Sequence, residues 1–193
     1  MMVKICGITN LEDALAAVEG GASALGFNFW PRSPRYVTPE AARKLIERLP
    51  AAVCKVGVFV DEEAGAVTGV AGEAGLDVVQ LHGHERASDF PSGVRVWKAL
   101  RIGEDFDRAA FDQYPAEALL LDGPANGVTF DWTVAAGIGR KVIVAGGLDA
   151  GNVGKAIAQA RPWGVDACSR IESTPGKKDR NKMAQFLKAA LES

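Results

Sequence analysis

A chain of 193 residues, 48% of them hydrophobic, holds enough apolar material for one sizeable core or two small ones. Its 22 basic and 24 acidic residues nearly balance, with no basic run or interleaved aromatic stripe to track a phosphate backbone, so no nucleic acid partner is expected. The first residues lack a long apolar signal core and no stretch reaches the roughly 18 to 20 continuous apolar residues of a membrane span, so the expectation is a cytoplasmic protein with no membrane partner.

The chain opens on VKICGIT (3–9), an extended run in which Lys4, Cys6 and Ile8 share one face and Val3 and Ile5 the other. Behind Asn10, a capping residue, LEDALAAVEGG has helical spacing. ALGFNFW (24–30) reads as the second strand, and the irregular PRSPRYVTPE after it, the longest such stretch, is expected to be functional. The helix TPEAARKLIERL starts at Thr38, and the strand CKVGVFV (54–60) leads through Asp61, read as a cap, into EEAGAVTGVAGEAG. VVQLHG (78–83), the weakly helical ERASDF, VRVWKALRI (94–102), the helical EDFDRAAFDQY and ALLLDG (118–123) follow. FDWTVAAGI, with Asp131 read as its cap, precedes KVIVAGG (141–147); AGNVGKAIAQA precedes GVDACSRIE (164–172); and DRNKMAQFLKAALES follows Asp179, a further capping candidate.

Eight strands alternating with helical segments predict a parallel sheet, since parallel strands need a crossover each time. A single-domain (β/α)8 (TIM) barrel of the α/β class over residues 1–193 fits better than an open doubly wound sheet, whose G-x-G-x-x-G fingerprint is missing. Function in such a barrel gathers at the carboxyl ends of the strands. Those ends carry Cys6, Asn28 with the loop arginines Arg32 and Arg35, Asp61, His82, Lys98, Asp122, Gly146 with Gly147, and Ser169. By alternation Lys4 with Cys6, Gln80 with His82 and Leu120 with Asp122 face inward, so a thiol and a carboxylate can face one another across the mouth. A Gly-Gly pair can be an ordinary turn, but after strand seven, with CSRIESTPGKKD after strand eight, it marks the recurring phosphate site of these barrels; the substrate is then a phosphorylated small molecule. Three cysteines without a C-x-x-C pair suggest neither a disulfide framework nor a zinc site, and Cys54 and Cys168 read as buried filler.

Taken together, KICGIT, GFNFWPRSPRYVTPEAA, KVGVFVDE, VQLHG, LLLDG, TFDW, AGGL and GVDACSRIESTPGKKD resemble, in order and from end to end, the phosphoribosylanthranilate isomerase family of tryptophan biosynthesis. The resemblance implies a (β/α)8 barrel that needs no metal or organic cofactor and carries out an Amadori rearrangement. It implies that Cys6 is the base, Asp122 the acid, and Arg35 the guanidinium that holds the anthranilate carboxylate through a bidentate fork, with His82 lining the anthranilate side. Base and acid then need opposite protonation states: partial burial favours a protonated Asp122, and positive charge favours a Cys6 thiolate. Lys4 could supply that charge, but a lysine inside a barrel generally needs a paired anion, so it is expected to neutralise another barrel carboxylate.

Two departures from the family pattern stand out. The segment after Asp122, GPANGV, is shorter than the glycine-rich loop usual there, which puts its closing role in question. Arg170 in CSRIE replaces a small glycine; its backbone N–H is expected at the phosphate beside those of Gly146 and Gly147, close to Ser169, with its side chain either turned to solvent and paired with Glu172 or Asp179, the favoured reading, or folded back onto the phosphate. Three other readings are a histidine-pathway phosphosugar isomerase, which would ordinarily use paired aspartates, a non-catalytic phosphate-ligand barrel, and a thiol redox protein with Cys168 as resolving cysteine. Monomer and homodimer both remain open.

Overall fold

A computed structural model describes residues 1–104 and 106–193. Short apolar strands pair in the order of the chain: β1 (Met2–Ile5), β2 (Ala24–Asn28), β3 (Cys54–Phe59), β4 (Val78–Leu81), β5 (Arg95–Arg101), β6 (Ala118–Asp122), β7 (Lys141–Val144) and β8 (Gly164–Ala167). All pairings are parallel, and β8 returns to β1 in a register from Met2↔Gly164 to Ile5↔Ala167, closing the barrel. Closure leaves the barrel sheet no free edge.

Among the described residues, five α-helices cover the outside: α1 (Leu11–Glu19), α2 (Pro39–Ile46), α3 (Ala64–Ala74), α4 (Val153–Ala160) and α5 (Arg180–Leu191). Asn10 accepts the Asp13 N–H at 2.8 Å to start α1, Thr38 accepts the Ala41 N–H at 3.2 Å to start α2, and Asp179 accepts two N–H groups to start α5. Asp61 is not a cap. Glu63 caps α3, accepting the Ala66 N–H at 3.1 Å, whereas Asp61 sits at a φ of 52° and accepts the His84 N–H, tying the end of β3 to that of β4.

The helical segments expected between β4 and β7 are 3-10 turns, at Ala87–Asp89, Arg108–Asp112 and Trp132–Ala135; Asp131 caps the last of these, and Asp105 in EDFDRAAFDQY lies outside the described residues. Each is too short to repay helix nucleation, and the third combines β-branched Thr133 and Val134 with Gly137 at a φ of +72°. The eighth strand is also shorter than expected. It ends at Ala167, and a 3-10 turn at Ser169–Ile171 leads into a hairpin of β9 (Glu172–Thr174) and β10 (Lys177–Lys178).

Alternation sorts the strand residues into two layers. Val3, Ile5, Leu25, Phe27, Val79, Leu81, Leu119, Leu121 and Val144 pack outward under the crossovers. Inside, Ala24, Val56, Val78, Trp97, Ala118, Leu120 and Ile143 fill the barrel, and Trp97 meets Trp163 edge-on with centroids 5.8 Å apart at the amino end. The interior is therefore packed rather than hollow. Lys4 and Asp166 occupy the same interior, joined at 3.1 Å with Lys4 fully buried. None of the described helices is long and apolar enough to cross a membrane.

Candidate active site

A cavity opens at the carboxyl mouth. It is lined by Cys6, Arg35, His82, Asp122, Gly146, Gly147, Ser169 and Arg170, together with Asn28, Gln80, Asn126, Gly127, Asp166 and Cys168. The remaining strand-end residues stay outside it: Arg32 is exposed, Asp61 holds the neighbouring strand end, and Lys98 is buried against Glu85 at 2.9 Å while donating to the Gly83 carbonyl at 2.8 Å.

On the β1 side Cys6 is crowded in by design of its neighbours: a side chain at Gly26 on β2 would bring a Cβ within 2.7 Å of Cys6 Sγ and 3.0 Å of Lys4 Nζ. Lys4 does neutralise a barrel carboxylate, Asp166, and its charge also acts on the nearby Cys6, so one buried cation serves two groups. Burial alone would discharge Lys4, but these two partners keep it protonated. Burial pushes the Asp166 carboxyl up to about 7, against the pull of Lys4. Cys168 is not inert filler. It lines the cavity with Cys6, its Sγ 4.0 Å from Glu172 Oε1 and 3.9 Å from Lys178 Nζ. Its influence, opposed by burial and aided by Lys4, holds the Cys6 thiol well below the ordinary thiol range. Cys6, with burial, in turn raises Cys168 well above that range. Cys54 lies apart from the cavity, and burial raises its thiol.

Across the mouth Asp122 closes β6. Its Oδ1 accepts the Gly123 N–H at 2.9 Å, and its Oδ2 lies 3.2 Å from His82 Nε2. Gln80 Nε2 lies 3.0 Å from His82 Nδ1, so the imidazole bridges Gln80 and Asp122.

Arg35 reaches the cavity from the irregular loop after β2. That loop is set by Asn28 Oδ1, which accepts the Trp30 N–H at 2.9 Å, and Ser33 Oγ, which accepts the Arg35 N–H at 3.1 Å. The guanidinium is not solvated. Its Nε and Nη2 donate to Glu172 at 2.9 and 2.7 Å, which leaves the Nη1–Nη2 edge for a ligand carboxylate. Burial would raise the Glu172 carboxyl, but Arg35 and Lys178, the latter at 2.9 Å, hold it below the usual carboxylate range.

That engagement removes Glu172 as a partner for Arg170, and Asp179 is spent as a cap. Arg170 instead folds across the mouth and donates through Nε and Nη2 to the Gly127 carbonyl at 3.3 and 3.1 Å. The same carbonyl lies 2.6 Å from where a Cβ on Gly147 would stand, so the short loop after β6 is clasped between those after β7 and β8, with Asn126 and Gly127 on the cavity wall. Gly146 and Gly147 hold φ of +77° and +64°, conformations that favour glycine. Among the described residues none accepts a hydrogen bond from the N–H of Gly146, Gly147, Ser169 or Arg170. Donors without partners at a glycine turn and a helix start suit an anion.

Asp166, Lys178, Asn126 and Gly127 were not foreseen as parts of this arrangement; Cys168 was foreseen near Cys6 only under a redox reading, and Glu172 only as a partner for Arg170. Asp166 and Cys168 share an alternating face with Gly164, which is readable; their meeting with β1 depends on a pairing across the whole chain.

A closed (β/α)8 barrel that brings a thiol, a carboxylate and unpaired amides to its carboxyl mouth is the architecture of an enzyme of phosphorylated small molecules. A model of the family "N-(5'phosphoribosyl)anthranilate (PRA) isomerase" matches residues 3–189, and the chain belongs to that family. The N-(5'-phosphoribosyl)anthranilate isomerase of Solibacter usitatus is 55% identical over 196 residues, covering 98% of this chain and 97% of that protein. The crystal structure of phosphoribosyl anthranilate isomerase from Thermus thermophilus is 40% identical, with a TM-score of 0.93 over 100% of this chain and 99% of that one. A further phosphoribosyl anthranilate isomerase structure, also 40% identical, superposes with a TM-score of 0.90 over the whole of both chains and holds reduced 1-(o-carboxyphenylamino)-1-deoxyribulose 5-phosphate.

Proposed function

We propose that the chain converts N-(5'-phosphoribosyl)anthranilate to 1-(2-carboxyphenylamino)-1-deoxyribulose 5-phosphate with Asp122 as acid and Cys6 as base. Asp122 gives its proton to the furanose ring oxygen, the ring opens, and the nitrogen lone pair forms an iminium with C1. The hydrogen on C2 is then acidic. The Cys6 thiolate removes it to give the enolamine, which tautomerises to the ketone. Arg35 holds the anthranilate carboxylate by its free edge, and the amides of Gly146, Gly147, Ser169 and Arg170 take the phosphate. His82, through its bond to Asp122, stabilises the carboxylate left after proton transfer.

The observation that carries this reading is a cysteine held toward thiolate and an aspartate on β6, both lining the one cavity that the uncommitted amides also border. Its test is the loss of fluorescence of freshly made phosphoribosylanthranilate. Cys6→Ser and Asp122→Asn should each keep the circular dichroism of the parent and lower turnover by at least about a hundredfold. Near-normal turnover in either folded variant removes that residue from the mechanism.

A further inference from the structure

The β9–β10 hairpin takes no part in the acid–base scheme, yet Glu172 at its start holds Arg35, and Lys178 at its end holds Glu172. Arg35 lines the cavity and the other two do not. Both are buried, with side-chain exposures of 4% for Glu172 and 0% for Lys178. Glu172 Oε1 accepts from Arg35 Nε and Lys178 Nζ, each at 2.9 Å, and from the Gly176 N–H at 3.3 Å, while Oε2 accepts from Arg35 Nη2 at 2.7 Å. The hairpin is itself fastened to the β1 side: Thr9 Oγ1 donates to the Gly176 carbonyl, and the Lys178 N–H donates to Asp13 at 2.8 Å. The stem of Arg35 lies across Gly7, where a Cβ would stand 2.6 Å from Arg35 Cδ.

We propose that Glu172 and Lys178 are positioning residues for Arg35 and, through it, select a ligand that carries a carboxylate. Glu172 turns the Nη1–Nη2 edge toward the mouth, and Lys178 leaves the charge of the guanidinium unspent. The inference rests on the assignment of Arg35 to the anthranilate carboxylate.

Charge counting gives each residue its own part. A guanidinium paired with one buried carboxylate is a neutral unit with little attraction left for an anion. Lys178 on the same carboxylate gives the three groups a net positive charge, which one ligand carboxylate balances. Lys4, the buried cation on β1, is already matched by Asp166. Geometry supplies the direction. Two bonds on the Nε–Nη2 edge fix the plane of the fork, so the adjoining edge meets a carboxylate without a further loss of side-chain freedom.

The test measures, by calorimetry, the dissociation constants of 1-(2-carboxyphenylamino)-1-deoxyribulose 5-phosphate and of its 1-phenylamino counterpart, which lacks the carboxylate. Their ratio is the selection for the carboxylate. Damage to the barrel weakens both ligands alike, whereas lost positioning weakens the first alone. Arg35→Ala sets the reference loss. In Glu172→Gln the amide oxygen can replace Oε1 with its three donors, but the amide nitrogen then meets Arg35 Nη2 donor to donor and turns the ligand edge away, so the selection should fall by at least about tenfold. Glu172→Asp, a milder change, should move it in the same direction. Lys178→Met keeps the fork and removes the charge, and should lower the selection by about threefold or more. Adding Glu172→Gln to Arg35→Ala should cost nothing further. An unchanged selection in Glu172→Gln overturns the positioning role, and a rise there shows that net charge alone governs binding. An unchanged selection in Lys178→Met overturns the part given to Lys178, and equal weakening of both ligands overturns the proposal in favour of a structural role. No loss of selection in Arg35→Ala overturns the assignment of Arg35 itself.

Discussion

Lys4 shows what a single buried cation can do when two anions compete for it. The Asp166 carboxyl, at about 7, titrates far above the reference aspartate near 3.9. Because its folded value lies above its unfolded one, its contribution to stability is complete below about pH 4 and is lost as pH rises through 7. Asp166→Asn has no such loss, so melting temperatures of variant and parent measured from pH 5 to pH 8 should change in the variant's favour as pH rises; a constant difference would place the Asp166 titration elsewhere. Cys6 has the opposite sign: its folded value lies below the unfolded one, so its contribution is present at high pH and lost as pH falls through the folded value. The acidic limb of kcat/KM should therefore lie below the ordinary thiol region near 8.5. At Arg35 the fork expected to hold a ligand is half spent on Glu172, and lysine cannot serve both partners at once. Arg35→Lys should raise KM by at least about tenfold while kcat changes less, and full recovery of binding by lysine would show that only charge matters there.

Elements were legible where the signal is local. Apolar runs marked all eight barrel strands and alternation put Cys6, His82 and Asp122 at the mouth, because each follows from its own segment. What local pattern could not supply is partnership. Glu172 lies 137 residues from Arg35, and nothing near either position announces the pair. The 3-10 turns were hidden for a related reason: their apolar spacing reflects packing on the barrel, which needs a face but not a full helix. Arg170 was misread because its partner is a backbone carbonyl, which any sequence supplies. The clasp it forms across the loops after β6 and β8 is exposed, so Arg170→Ala should raise KM by no more than about fivefold, equivalent to roughly 1 kcal/mol. That loss should persist in high salt. A larger loss that fades with salt would place the guanidinium on the phosphate.

At the scale of the whole molecule, Asp122 and Cys6, the proposed acid and base, stand at the ends of strands brought together only as the ring closes. Asp122 and His82 belong to a run of neighbouring strands, β4 to β6, but the Lys4–Asp166 contact beneath Cys6 joins residues 162 apart. Loop-closure entropy delays such contacts relative to local ones. On dilution from urea, far-UV ellipticity should thus recover ahead of fluorescence-detected turnover. Equal rate constants for the two would mean that the β1–β8 seam forms along with the rest of the barrel. A partly assembled chain would hold Asp122 and most of its strands while Cys6 lacked its neighbours from β8, so alkylation of Cys6 followed during refolding should reach its native pH dependence only with closure of the seam.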